Sequence, residues 1–185
     1  IIMIISLFVL VSSVVVIFAI IRLFIKKHLI AHAMGSIYGY KYTNSLEAFK
    51  KSYLIGFRQF ETDITLTNDN KVVCFHPITP EWKKLMKNFC INQDSFTYQE
   101  FKSGELLKNF HHKLTVLDIN DLVSLAKKYK DTSFVLHIWE DDEIKQEYIF
   151  DEIIKASSGE VMERLIFQPK MFYENVYNPQ ELCSQ

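Results

Sequence analysis

Apolar residues run without a charge from Ile1 to Ile21, interrupted only by Ser6, Ser12 and Ser13, and Arg22, Lys26 and Lys27 follow directly. About twenty such residues cross a bilayer core as a helix, so residues 1–25 are expected to form a transmembrane anchor ahead of a domain spanning 26–185. A cleaved signal peptide would carry a shorter apolar region and a small-residue cleavage site. The one candidate site, Ala31-His32-Ala33, falls inside the first strand of the domain. Taken alone, the basic residues after the apolar run place the following domain on the cytoplasmic side.

Beyond the anchor the pattern shortens and alternates. Leu29-Ile30-Ala31 is a short apolar run stopping at His32 and Gly35, as a buried strand does. A polar and aromatic loop over 36–41 leads to Asn44, a good helix N-cap, with Glu47 three residues on to complete a capping box. Leu46, Phe49, Tyr53 and Leu54 fall at helical spacing, and Gly56 suits the position past a helix end. From Phe57 to Leu66 the period becomes two, which puts Glu61, Asp63 and Thr65 on one face of a strand. Asn68-Asp69-Asn70 is a turn, and Lys71 to Phe75 a second strand ending at His76. Pro77 and Pro80 break that pattern, and the stretch 81–113 is mixed, with a short helix expected around Thr97 to Phe101 and a His111-His112 pair read as solvated.

Asp118 is placed to cap a helix whose Ile119, Leu122, Val123, Ala126 and Tyr129 form one apolar stripe. Ser133 to Trp139 is a strand, Glu143 to Ser157 a helix closed by Gly159, and Arg164 to Gln168 another strand. Strands alternating with helices indicate β/α units around a parallel sheet. A complete (β/α)8 barrel takes roughly 250 residues, and this chain of 185 also carries the anchor. The expected fold is therefore α/β, preceded by one transmembrane helix, and any TIM-barrel-like (β/α) arrangement it forms is incomplete.

Charge and composition narrow the partners. The formal net charge is -1 and no basic patch stands out, which argues against a nucleic-acid partner. Cys74, Cys90 and Cys183 form neither a C-x-x-C pair nor a disulfide framework.

In a parallel β/α fold, the carboxyl ends of different strands converge on one face, where ligands bind. His32, Glu61, Asp63, His76 and His137 all fall at or near such ends. Two carboxylates suit a hard divalent cation, and a pair of histidines suits proton delivery and removal. Together they fit metal-assisted cleavage of a phosphate ester.

The ordered run His32, Gly35, Asn44-Ser45-Leu46-Glu47-Ala48-Phe49, Gly56, Phe60-Glu61-x-Asp63, Leu66-Thr67-x-Asp69, Val72-Val73 and His76 resembles the glycerophosphodiester phosphodiesterase family. The resemblance is densest from about residue 29 to residue 77 and continues more faintly to Gln168. It implies a TIM barrel with one divalent metal, Ca²⁺ or Mg²⁺, that hydrolyses a glycerophosphodiester substrate to an alcohol and glycerol 3-phosphate. By position it implies His32 and His76 as general acid and base and Glu61 and Asp63 as metal ligands. In the family scheme the glycerol hydroxyl attacks phosphorus, and water then opens the cyclic phosphate.

Four positions depart from the family pattern. Ala33 stands where an Arg is common, and Pro77 where an Asp often follows the second histidine. The third strand usually offers a carboxylate and then a Lys, and here it offers His137 and Trp139. An imidazole suits Zn²⁺ or Mn²⁺ better than a hard cation. Two readings of His137 stay open: an altered metal ligand, or a drifted residue in a catalytically impaired, membrane-tethered relative that acts as a binding or interaction module.

Overall fold

The structure, a computed structural model, describes residues 2–76, 96–103, 114–157 and 159–169. Pro77, Pro80, Cys90, the His111-His112 pair and Cys183 lie outside the described residues.

Helix α1 (Ile2–Lys27) occupies the stretch expected as an anchor. Its contiguous described side chains, 10–21, are all exposed. Among the described residues no helix is long and apolar enough to cross a membrane.

Strand β1 (Ile30–Ala31) follows within three residues of α1 and runs into a 3-10 turn, His32–Met34. Helix α2 (Leu46–Leu54) is capped by Ser45, whose side chain accepts a hydrogen bond from the Ala48 N–H. The expected cap, Asn44, instead takes a left-handed φ of 46° and turns its side chain elsewhere. Glu47 does not close a capping box either. Its carboxylate accepts from the Thr115 N–H and hydroxyl at 2.8 Å each, tying α2 to a segment 68 residues away. Leu54, expected on the apolar stripe, is 80% exposed.

Strand β2 (Gln59–Leu66) is the axis of the sheet. Its first residues pair in parallel with β1, Ala31 opposite Phe60, and Gln59 to Ile64 pair in parallel with β5 (Ser133–Ile138), Glu61 opposite Val135 and Asp63 opposite His137. β5 pairs in parallel with β6 (Leu165–Pro169). The four parallel strands thus lie in the order β1-β2-β5-β6, with the sheet's helices intervening as β/α units.

The expectation of a wholly parallel sheet is corrected by β3 (Val72–Cys74), which folds back antiparallel on the far end of β2, Thr65 opposite Val73, and by β4 (Leu117–Asp118), antiparallel to β3. The link from Leu66 to Val72 explains the first reversal, because a parallel crossover needs a dozen or more residues.

Helix α3 (Tyr98–Lys102) begins at a Thr97/Glu100 capping box. Helix α4 (Ile119–Lys128) begins at Asp118, which exchanges capping bonds with Asp121. The α4 residues Ile119, Leu122, Val123 and Ala126 are buried as their spacing predicts. Helix α5 (Glu143–Ala156) ends before Gly159, and that glycine starts a short helix α6 (Gly159–Met162) rather than closing the preceding one.

One face of the central pair is apolar and dry. Phe60, Thr62 and Ile64 of β2 and Phe134, Leu136 and Ile138 of β5 are all fully buried. Phe49 of α2 packs its ring 4.6 Å from Phe60 and 5.0 Å from Tyr129 beyond α4. That packing leaves the opposite, odd-numbered face to carry Glu61, Asp63 and His137.

Candidate active site

Period-two geometry decides the centre of the site. Glu61 and Asp63 project from the same face of β2, and the parallel register sets His137 of β5 beside Asp63. His137 Nδ1 lies 3.8 Å from Glu61 Oε1 and 3.8 Å from Asp63 Oδ1. All three residues are buried, and each offers a ligand atom within 4.8 Å of the others'.

Two carboxylates in one dry place repel each other. The Glu61 carboxyl is pushed up to about 8, first by burial and then by the charge of Asp63, while the Ala33 N–H pulls the other way. Among the described residues Glu61 Oε1 has no hydrogen-bond partner. A bound cation would answer both the repulsion and the unmatched oxygen, so the residues present fit a divalent metal ion.

His32 arrives on the 3-10 turn that ends β1, and the turn is built to serve Glu61. Ala33 sits at φ 48°, ψ 44°, and Met34 also has positive φ. Left-handed geometry costs roughly 1–2 kcal/mol per non-glycine residue. In return the Ala33 N–H donates to Glu61 Oε2 at 2.6 Å, and His32 Nε2 lies 3.8 Å from the same oxygen. Gly35 continues the turn at φ 97°, where a Cβ would come within 2.1 Å of Ser52 Oγ on α2. Any other residue there has to push the Ser52 hydroxyl aside and hold a φ that side chains rarely adopt.

Asn44 is the site residue that a capping argument hides. Its Nδ2 donates to Asp63 Oδ2 at 2.9 Å, and its Oδ1 accepts from the Thr62 hydroxyl and the Asp63 N–H at 3.0 and 3.2 Å. It is fully buried. The available signal is that Asn44 and Ser45 are both good caps and a helix takes only one.

Trp139, just past β5, donates its indole N–H to Asp63 Oδ1 at 2.7 Å. Both oxygens of Asp63 are therefore held by neighbours. The antiparallel return of β3 brings His76 back to this level, its ring 4.6 Å from Trp139 and 5.7 Å from Tyr42. Tyr42 in turn meets the His32 ring edge-on at 4.9 Å. Thus the five residues expected from the sequence, His32, Glu61, Asp63, His76 and His137, surround one spot, and Asn44, Tyr42 and Trp139 join them.

The sequence matches the model of the glycerophosphoryl diester phosphodiesterase family over residues 35–168, a span that takes in Glu61, Asp63, His76 and His137. No curated protein matches significantly. Among solved structures, the chain resembles a glycerophosphodiester phosphodiesterase from Parabacteroides distasonis, with a TM-score of 0.56 and 20% identity, covering 76% of this chain and 55% of that one. A structure from Galdieria sulphuraria, assigned to the same activity, gives a TM-score of 0.55 and 16% identity, with 76% and 55% covered. At these identities the likeness shows a common, TIM-barrel-like fold, and the chain spans about half the length of the structures it matches.

Proposed function

The chain belongs to the glycerophosphoryl diester phosphodiesterase family, and on that premise we propose that it takes part in hydrolysis of glycerophosphodiesters to an alcohol and glycerol 3-phosphate. The observation that carries the reading is the convergence of Glu61, Asp63 and His137 beside His32 and His76. A fold alone does not carry a function, but this constellation suits phosphodiester chemistry.

Each residue has a task that its surroundings support. His32 is the accessible imidazole, its side chain 61% exposed and placed beside Glu61. His76 is buried at the opposite side, against Trp139 and Tyr42. As the family resemblance implies, His32 and His76 are the general acid and base. Asn44 and Trp139 fix the Asp63 carboxylate, and the Ala33 N–H fixes that of Glu61. Glu61, Asp63 and His137 would hold a divalent cation, which when bound offsets negative charge on phosphoryl oxygens.

The test is release of glycerol 3-phosphate from glycerophosphocholine. His32→Ala and His76→Ala are each expected to lower kcat by roughly 10²–10⁴ while circular dichroism stays unchanged. Full activity in either variant removes that histidine from the mechanism. A second reading, a catalytically impaired relative that binds rather than cleaves, is favoured by the Trp139 indole occupying Asp63 Oδ1; the same assay decides it, since that reading requires no release by the unmodified protein.

The anchor belongs to this proposal as well. The uncharged run Ile1 to Ile21 and the exposure of apolar Leu10, Val11 and Val16 on different sides of α1 support a single-pass membrane protein. The protein is expected to stay in the pellet on alkaline carbonate extraction of membranes, and its appearance in the supernatant contradicts an anchor.

A further inference from the structure

The donor set at the site is unusual for the hard cations that the family resemblance implies. Ca²⁺ takes six to eight oxygen ligands, and Mg²⁺ is bound through carboxylates and water in near-octahedral geometry. Here the described residues bring together two carboxylates and one imidazole, and neighbours orient three of the four carboxylate oxygens. Asp63 Oδ1 accepts from Trp139 at 2.7 Å and Oδ2 from Asn44 at 2.9 Å, and Glu61 Oε2 accepts from Ala33 at 2.6 Å. Glu61 Oε1 is the one carboxylate oxygen of the pair with no hydrogen bond among the described residues. Beside it stands an imidazole nitrogen, His137 Nδ1, at 3.8 Å from both Glu61 Oε1 and Asp63 Oδ1. Donors on a tetrahedral ion with bonds of about 2.1 Å stand roughly 3.4 Å apart, so each nitrogen–oxygen pair needs to close by only a few tenths of an ångström, and all three residues offer ligand atoms within 4.8 Å of one another. The side chains are 10% or less exposed, which restricts the water that a hard ion keeps.

We propose that Glu61, Asp63 and His137 form a two-oxygen, one-nitrogen site selective for a borderline dication of the Mn²⁺ or Zn²⁺ kind over Mg²⁺ and Ca²⁺. Imidazole suits Zn²⁺ and other transition ions, and carboxylate, carbonyl and water sets suit Mg²⁺, Ca²⁺ and Mn²⁺, so a mixed nitrogen–oxygen set favours Zn²⁺, and Mn²⁺ among the ions that oxygen sets accept. His137 is the residue that sets the preference. The inference rests on the proposed function only in placing a metal at this site.

Binding, read apart from turnover, tests it. The full chain, stripped with chelator, is titrated with Mn²⁺, and pulsed electron paramagnetic resonance reports whether a ¹⁴N nucleus is directly bonded to the ion. The expected result is a ¹⁴N signal, Mn²⁺ affinity at least tenfold above that for Mg²⁺ or Ca²⁺, and loss of Mn²⁺ binding in Glu61→Gln. His137→Glu is expected to lose the nitrogen signal and gain at least tenfold in Ca²⁺ affinity. His137→Gln, which keeps the volume without either donor, is expected to lose the signal without the gain.

Absence of ¹⁴N in the unmodified protein overturns the proposal, and so does an unchanged ratio of Mn²⁺ to Ca²⁺ affinity in His137→Glu or, should that variant not fold, in His137→Gln. Glycerol 3-phosphate release measured in parallel separates the two claims. Release without nitrogen-ligated Mn²⁺ ends this inference alone, and nitrogen-ligated Mn²⁺ without release under any ion ends the hydrolase reading alone.

Discussion

Glu61 is where burial and charge act together most strongly. Its carboxyl is raised from an ordinary 4.5 to about 8 in the folded chain. Between those values the native state holds a proton that the unfolded chain has released, so the stability from neutral Glu61 is complete below about pH 4.5 and is lost as pH rises through about 8. In chelator-treated protein, the stability difference between unmodified chain and Glu61→Gln is expected to shift in favour of the glutamine variant over that interval. Denaturant titrations at several pH values measure it, and a pH-independent difference contradicts the assignment. A bound cation reverses the balance, because it favours the carboxylate.

At this scale the sequence was readable where strand period did the work. Glu61 and Asp63 share a face because they are two apart, and His137 meets them because a third strand ends in register. Asn44 and Trp139 were not readable as partners of Asp63. Asn44 reaches it across 19 residues and Trp139 across 76, and a local cap rule has no means of seeing either contact.

Among elements, the β2–β5 pair carries the site on one face and the core on the other. Phe60 is the keystone of that second face, fully buried and in ring contact with Phe49 and with Phe134 at 5.7 Å. Phe60→Ala is expected to cost about 3–5 kcal/mol, and because Phe60 precedes Glu61, the loss is expected to loosen the site too. Equilibrium unfolding measures the first, and a cost below about 1 kcal/mol contradicts the packing described. Helix boundaries at Asp118 and Thr97 were legible because capping chemistry is local. The direction of β3 was misjudged, although the short link around Asn68-Asp69-Asn70 permits only a hairpin. That hairpin matters, since it is what returns His76 to the level of Asp63.

For the whole molecule, the β/α alternation indicated a domain of β/α units and the family resemblance a TIM-barrel-like one, and four parallel strands are enough to bring one face of it together. Two carboxylates, three histidines, Asn44, Tyr42 and Trp139 meet there although they come from positions as far apart as His32 and Trp139. On the proposed function, this cluster is a metal-dependent phosphodiesterase site. The most direct measurement is glycerol 3-phosphate release from glycerophosphocholine by the full chain before chelation, after EDTA treatment, and after restoring Mn²⁺, Mg²⁺ or Ca²⁺. The predicted result is release that falls at least tenfold with chelation and returns with a divalent ion in the unmodified protein but not in Glu61→Gln. Release that survives complete chelation, or none under any ion, contradicts it.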